Sequence, residues 1–188
     1  MRKVVKAVLK ACSIELIDVE KDRKRANLKA IGARKYTHST IDQNVANGKY
    51  LVPVRVYFPN HDTLEEYKND EANLPVIIYL HGGGWVTDGI DNYERICDKL
   101  AKYTNHIIVS VDYRLAPEHK FPIGLEDCYE VAKAICLGNF PGIAKHADVT
   151  IMGDSAGGNL ATVVCQMARD KKEFSLTRQV LIYPVVYN

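Results

Sequence analysis

Gly153-Asp154-Ser155-Ala156-Gly157 sets a serine between glycines two residues before and two residues after it. A G-x-S-x-G pattern carries chemistry where a short apolar strand runs into an amphipathic helix. Val149-Thr150-Ile151-Met152 supplies such a strand, and Leu160, Val163, Val164 and Met167 follow at helical spacing. At that elbow the backbone is strained, small residues let it turn without collision, and the Ser155 hydroxyl is lifted above the sheet edge. The chemistry served is nucleophilic attack on an acyl carbon, with the N-terminus of the following helix favouring the negative charge that develops. A tight Gly-Ser turn into a closely packed helix would use the same residue types, but the flanking elements and a second motif argue against so bland a role.

That second motif is His81-Gly82-Gly83-Gly84-Trp85, directly after the apolar run Pro75 to Leu80. Consecutive glycines leave their amides uncovered, so a carbonyl oxygen can approach them, and they permit backbone angles that a side chain forbids. Gly83 and Gly84, with Ala156 from the elbow, are therefore the candidate oxyanion-hole amides. His81 precedes the glycines at a strand terminus, which suits a loop-supporting hydrogen bond better than the role of catalytic base. Trp85 reads as a packing anchor for the loop rather than a surface on which substrate stacks.

Positioning these residues falls to elements whose texture changes at residue 75. From there, short apolar runs alternate with helical patterns, as in buried parallel strands of βαβ units. Strands are expected at 75–80, 106–111, 149–152 and 180–183. A helix with Ile96, Leu100 and Tyr103 on one face, capped by Asp91 or Asn92, joins the first two. A second helix traces Leu125, Cys128, Tyr129, Ala132, Ile135 and Cys136 and stops at Gly138. Upstream, 36–41 and 51–58 alternate as neighbouring antiparallel strands joined near Asn47-Gly48, with Pro53 at a bulge or an edge. Val5, Val8, Leu9 and Cys12 have helical spacing, and the charged run Glu20 to Arg25 reads as a solvated helix face.

Length and composition narrow the partners. With 188 residues, 47% of them apolar, the chain suffices for one globular domain, and a net charge of +2 from scattered lysines and arginines argues against nucleic acid as a partner. The five cysteines are odd in number, widely spaced and without a C-x-x-C pair, which fits neither a zinc site nor a closed disulfide framework and points to a reducing, cytoplasmic setting. Lys6 and Lys10 interrupt the apolar start, no cleavage site follows, and no run approaches the roughly 20 apolar residues of a membrane span. The histidines show no ligand spacing, so neither metal nor cofactor is expected.

Together with Asp112-Tyr113-Arg114-Leu115-Ala116-Pro117-Glu118-His119-Lys120-Phe121-Pro122, the two motifs make the chain resemble bacterial hormone-sensitive-lipase-type carboxylesterases of the α/β-hydrolase superfamily. HGGGW, DYRLAPEHKFP and GDSAGGNLA stand in that family's order and spacing, and the likeness runs from about residue 36 to the end. The resemblance implies an α/β-hydrolase fold, a mostly parallel sheet flanked by helices. Residues 1–34 would form an N-terminal helical cap segment and 35–188 a partial core. It further implies hydrolysis of a small-molecule ester of short to medium chain through an acyl-serine intermediate at Ser155. Arg114 and Glu118 take structural roles, satisfying buried polar partners behind the glycine loop. Cys128, Cys136 and Cys165 fall on apolar helix faces and read as buried small hydrophobes.

The family's triad runs in the order Ser, then Asp or Glu, then His. All six histidines precede Ser155, and after it only Asp170 and Glu173 are acidic. The resemblance therefore reads this chain as a C-terminally truncated hydrolase, impaired because the triad acid and histidine are absent. Its strand ending at Tyr183 is then an open edge that invites self-association or a second chain. Two other functions stay open on these residues: a ligand-binding relative that keeps the pocket without the chemistry, and an amidase or formamidase.

Overall fold

A computed structural model describes residues 18–31, 40–145 and 148–186. The helix expected from Val5 to Cys12 and the first residues of the strand expected at 36–41 lie outside these. In chain order the elements are α1 (Val19–Ile31), β1 (Thr40–Asn47), β2 (Tyr50–Tyr57), α2 (His61–Lys68), β3 (Val76–Leu80), α3 (Ile90–Thr104), β4 (Ile107–Val111), α4 (Ile123–Cys136), β5 (Val149–Asp154), α5 (Ala156–Lys171) and β6 (Arg178–Ile182). The sheet order is β1-β2-β4-β3-β5-β6. β1 and β2 form a hairpin, β2 runs antiparallel to β4, and β4, β3, β5 and β6 are parallel. This is an α/β-hydrolase arrangement, with helices on both faces of a mixed, mostly parallel sheet.

β3 and β4 are buried along their whole length because both faces are covered. Alternate residues divide between the faces. Val76, Ile78 and Leu80 face a core shared with α4 and α5, while Ile77 and Tyr79 face Cys97 and Ala101 of α3. Each fully buried aliphatic side chain contributes roughly 1.5–3 kcal/mol, so the centre of the sheet is the stable base on which the loops at its end rest.

Several expectations need correction. α3 turns Glu94, Cys97 and Ala101 inward; of the expected face Leu100 packs partly buried against that core, whereas Ile96 and Tyr103 are 46% and 83% exposed. Small side chains let the helix approach, and Tyr57 and Tyr79 fill the space from the sheet side. Its N-cap is Gly89 rather than Asp91 or Asn92, and Asp91 instead accepts from Arg55 Nη1 at 2.8 Å. The first strand continues past its expected end at Ile41 to Asn47, an extension not signalled because an edge strand carries a weak apolar alternation, here broken by Asp42, Gln43 and Asn44. Pro53 is on the second strand, opposite Asn44, one residue before the ladder to β4 begins at Val54. α2 was not signalled by apolar periodicity; Asn60 starts it by accepting the Thr63 N–H at 2.8 Å.

Cys97 and Cys128 are buried free thiols, and burial pushes the Cys136 thiol up to about 12, consistent with small core residues. Cys136 and Cys165 are only partly buried. No described helix is long and apolar enough to cross a membrane.

Candidate active site

β3 and β5 are neighbouring parallel strands with Leu80 opposite Gly153, so the glycine loop and the serine turn leave the same end of the sheet side by side. Ser155 has φ 49° and ψ −116°, a strained conformation at the strand-to-helix junction. Its backbone is well held. Ser155 N–H donates to Ile182 O at 3.0 Å, and Ser155 O accepts from Asn159 N–H at 3.1 Å and Val185 N–H at 3.2 Å. A Cβ at Gly157 would overlap the carbonyl oxygen of Leu80, so the absent side chain is what seats α5 against the end of β3. The first turn of α5, which starts beside Ser155, itself carries no acidic residue.

Gly83 and Gly84 have φ 106° and 61°, values that explain glycine at both positions. Gly83 O accepts from Val86 N–H and Thr87 N–H at 3.1 and 2.9 Å, folding the loop into a turn. The amide N–H groups of Gly83, Gly84 and Ala156 have no hydrogen-bond partner among the described residues. Trp85 packs against the main core, and its carbonyl accepts from Ala116 N–H at 2.9 Å.

His81 is fully buried and stacked on Tyr113, with ring centroids 4.3 Å apart. Burial holds its imidazole below the ordinary histidine pKa. The ring is therefore neutral at pH 7, and its Nδ1, 2.7 Å from Gly82 O, is the donor to that carbonyl. Tyr113 O–H donates to His81 O at 2.7 Å and fixes the residue from the other side. His61 lies near Glu65 and His106 near Thr104 O, and no hydrogen bond joins a described histidine to Ser155. Asp170 and Glu173 sit at the far end of α5, paired with Arg169 at 2.8 Å and with Lys133 at 3.0 Å.

Sequence reasoning missed several residues around the site. Asp154 is buried; its Oδ1 accepts from Tyr79 O–H at 3.0 Å and Gly82 N–H at 3.1 Å, and its Oδ2 from Tyr93 O–H at 2.8 Å. Asp127, wholly buried, takes Arg114 Nε and Nη2 at 2.8 and 2.6 Å and so provides the buried partner expected for Arg114. Glu118 departs from its expected role: its side chain is 54% exposed and pairs with Arg23 at 2.7 Å. Arg23 also donates to Val86 O at 2.8 Å and Ala116 O at 2.9 Å, so the charged run of α1 is more than a solvated face. A visible signal existed only for Asp154, which lies inside the serine motif.

Beside the loop is a cavity of about 440 Å³, lined by Gly84, Trp85, Phe121, Leu125, Leu160 and Val163 among others. Its walls are mainly apolar, and it begins at one of the unpartnered amides.

Residues 77–188 match the family model described as alpha/beta hydrolase fold. Carboxylesterase NlhH of Mycobacterium tuberculosis is 41% identical over 138 residues, which is 71% of this chain and 39% of that enzyme. The putative alpha/beta hydrolase R526 of Acanthamoeba polyphaga mimivirus is 30% identical over 171 residues, 90% of this chain and 47% of its own length. Among solved structures, the Pyrobaculum calidifontis esterase superposes with a TM-score of 0.79 at 35% identity, covering 91% of this chain and 54% of that one. The chain thus spans about half the length, or less, of the proteins it matches.

Proposed function

Since the chain belongs to the α/β-hydrolase family and resembles its hormone-sensitive-lipase-type carboxylesterases, we propose that it carries the nucleophile and oxyanion hole of a carboxylic ester hydrolase. Ser155 Oγ attacks the ester carbonyl carbon, and the carbonyl electrons move to an oxyanion held by the Gly83, Gly84 and Ala156 amides. Collapse expels the alcohol and leaves an acyl-serine, which water hydrolyses. His81 supports the loop through Gly82 O rather than taking the serine proton.

The observation that carries this reading is the strained Ser155 set beside three amides that bond to nothing else among the described residues. The apolar cavity at Gly84 supports a substrate with a short- to medium-chain apolar group. Attack also requires a base for the serine proton, and no described histidine bonds Ser155. Turnover by this chain alone is accordingly expected to be impaired, while the oxyanion hole still supports acylation by a reactive reagent.

Three further assignments go with it. Residues 1–34 act as the cap segment, a role supported by the anchoring of Arg23 on Val86 and Ala116. The outer edge of β6, with Val180 and Leu181 41% and 37% exposed, suits self-association or a second chain. Free thiols at Cys97 and Cys128 accord with a cytoplasmic setting.

Incubation with a fluorophosphonate followed by peptide mass spectrometry tests the nucleophile. A single adduct on Ser155, lost in Ser155→Ala, is expected. An adduct on another residue, or equal labelling of the variant, would contradict the proposal.

A further inference from the structure

We infer that Asp154 is a positioning residue whose carboxylate ties the glycine loop to the serine elbow and so sets the Gly83 and Gly84 amides relative to Ser155. The inference rests on the reading of Ser155 and those amides proposed above. Asp154 immediately precedes the serine, at the end of β5. Its three donors come from every element that frames the loop: Tyr79 from β3 before it, Gly82 within it, and Tyr93 from α3 after it. Gly82 N–H also reaches Tyr93 Oη at 3.1 Å, which closes the group into a network.

A buried carboxylate beside a site that must stabilise negative charge is electrostatically adverse, and packing alone would favour a neutral side chain there. What an aspartate supplies is acceptor capacity on both oxygens, enough to meet several donors at once. That capacity matches the donors present.

The three glycines divide accordingly. Gly83 and Gly84 are required by positive φ, but Gly82 is not among the positive-φ residues. Instead, a Cβ at Gly82 would overlap Asp154 Oδ2 and stand 3.0 Å from Tyr93 Oη. The first glycine is therefore demanded by the approach of the tether. Since Gly82 N–H is fixed by that carboxylate and Gly82 O by His81, the peptides on both sides of Gly82 have their orientation set, and the second of them carries the Gly83 N–H.

The test compares Asp154→Ala, Asp154→Asn and Tyr93→Phe with the parent chain in two readouts. The first is fluorophosphonate labelling of Ser155 as a function of reagent concentration, which separates the limiting rate from half-saturation. The second is the backbone amide signals of Gly82, Gly83 and Gly84 by NMR. For Asp154→Ala the limiting rate is expected to fall about 100-fold, the scale of losing an oxyanion donor, with half-saturation little changed. Tyr93→Phe is expected to cost about threefold to tenfold, the scale of one hydrogen bond. Asp154→Asn, whose amide oxygen still accepts from Gly82 and Tyr79, is expected to recover most of the rate and return the Gly83 and Gly84 signals toward their parent positions.

A limiting rate unchanged in folded Asp154→Ala, a loss confined to half-saturation, or no recovery in Asp154→Asn overturns the inference. If Asp154→Ala does not fold, Tyr93→Phe decides: unmoved Gly83 and Gly84 amides with a parent labelling rate sink it. A parent chain that never labels at Ser155 refutes the nucleophile assignment, and the amide signals then decide the tether by themselves.

Discussion

Ser155 is held by its own backbone, through Ile182 O, Asn159 N–H and Val185 N–H, whereas the glycine loop depends on side chains sent from elsewhere: Asp154, Tyr93, Tyr113 and Arg23. The elbow belongs to the sheet and helix it joins, so its conformation follows from packing at the centre of the fold. Of backbone bonds the loop has its internal turn at Gly83 and the one from Ala116 N–H to Trp85 O, and its Gly83 and Gly84 amides have no partner among the described residues. Unpaired donors are useful for catalysis and costly for folding, which is why the supporting contacts are polar and directional. The elbow is expected to fail sterically and the loop to fail electrostatically.

The sharpest way to break that contrast is Gly157→Ala. The new Cβ would overlap backbone oxygen of Leu80 and crowd that of His81, neither of which can rotate away, and a loss of about 3 kcal/mol or more in urea denaturation is expected. Gly84→Ala is the control on the loop side. No atom lies within 4 Å of its Cβ, so only the positive φ acts, and about 1–2 kcal/mol is expected. Equal losses in the two variants would erase the distinction.

Asp127→Ala comes close behind, because it strands the Arg114 guanidinium on a half-buried surface beside Tyr50. About 3 kcal/mol is expected, with Asp127→Asn losing less.

The pH dependence of stability sharpens the loop side further. His81 has a folded pKa below its unfolded value of about 6.5, so the unfolded chain binds the proton more readily. Its contribution is fully present above pH 6.5 and is lost as pH falls below that value. Between pH 7.5 and 5 the parent should lose stability, and His81→Phe should show a flatter profile over that window. An unchanged slope would mean that the imidazole is not held neutral.

The smallest effect is expected at α1. Arg23→Ala removes an ion pair to an exposed glutamate and two carbonyl contacts, so global stability should fall by about 1 kcal/mol, while amide exchange speeds up selectively in residues 19–31. The Glu118 carboxyl is held down to about 2, chiefly by its hydrogen bonds with Arg23, so this contact should persist on acidification until pH falls well below the ordinary glutamate range.

Legibility in the sequence followed burial and distance along the chain. β3, β4 and β5 were readable because strands covered on both faces must be continuously apolar, and the serine turn and glycine loop were readable because their residues are contiguous. β1 was read only as far as Ile41, although it runs on to Asn47, because an edge strand does not need the pattern. The inward face of α3 was misread because Cys97 and Ala101 gain their burial from tyrosines on the sheet, which hydropathy along the helix does not reveal. The tether of Asp154 to Gly82 and Tyr93 spans 72 and 61 residues, so no local pattern carries it, although its aspartate stood inside the motif from the start.

A crystal structure of the fluorophosphonate-treated chain tests the central claim most directly. The phosphorus is expected on Ser155 Oγ, with its phosphoryl oxygen about 2.7–3.1 Å from the amide nitrogens of Gly83, Gly84 and Ala156. A phosphoryl oxygen turned to solvent, or phosphorus bonded to another residue, would contradict it.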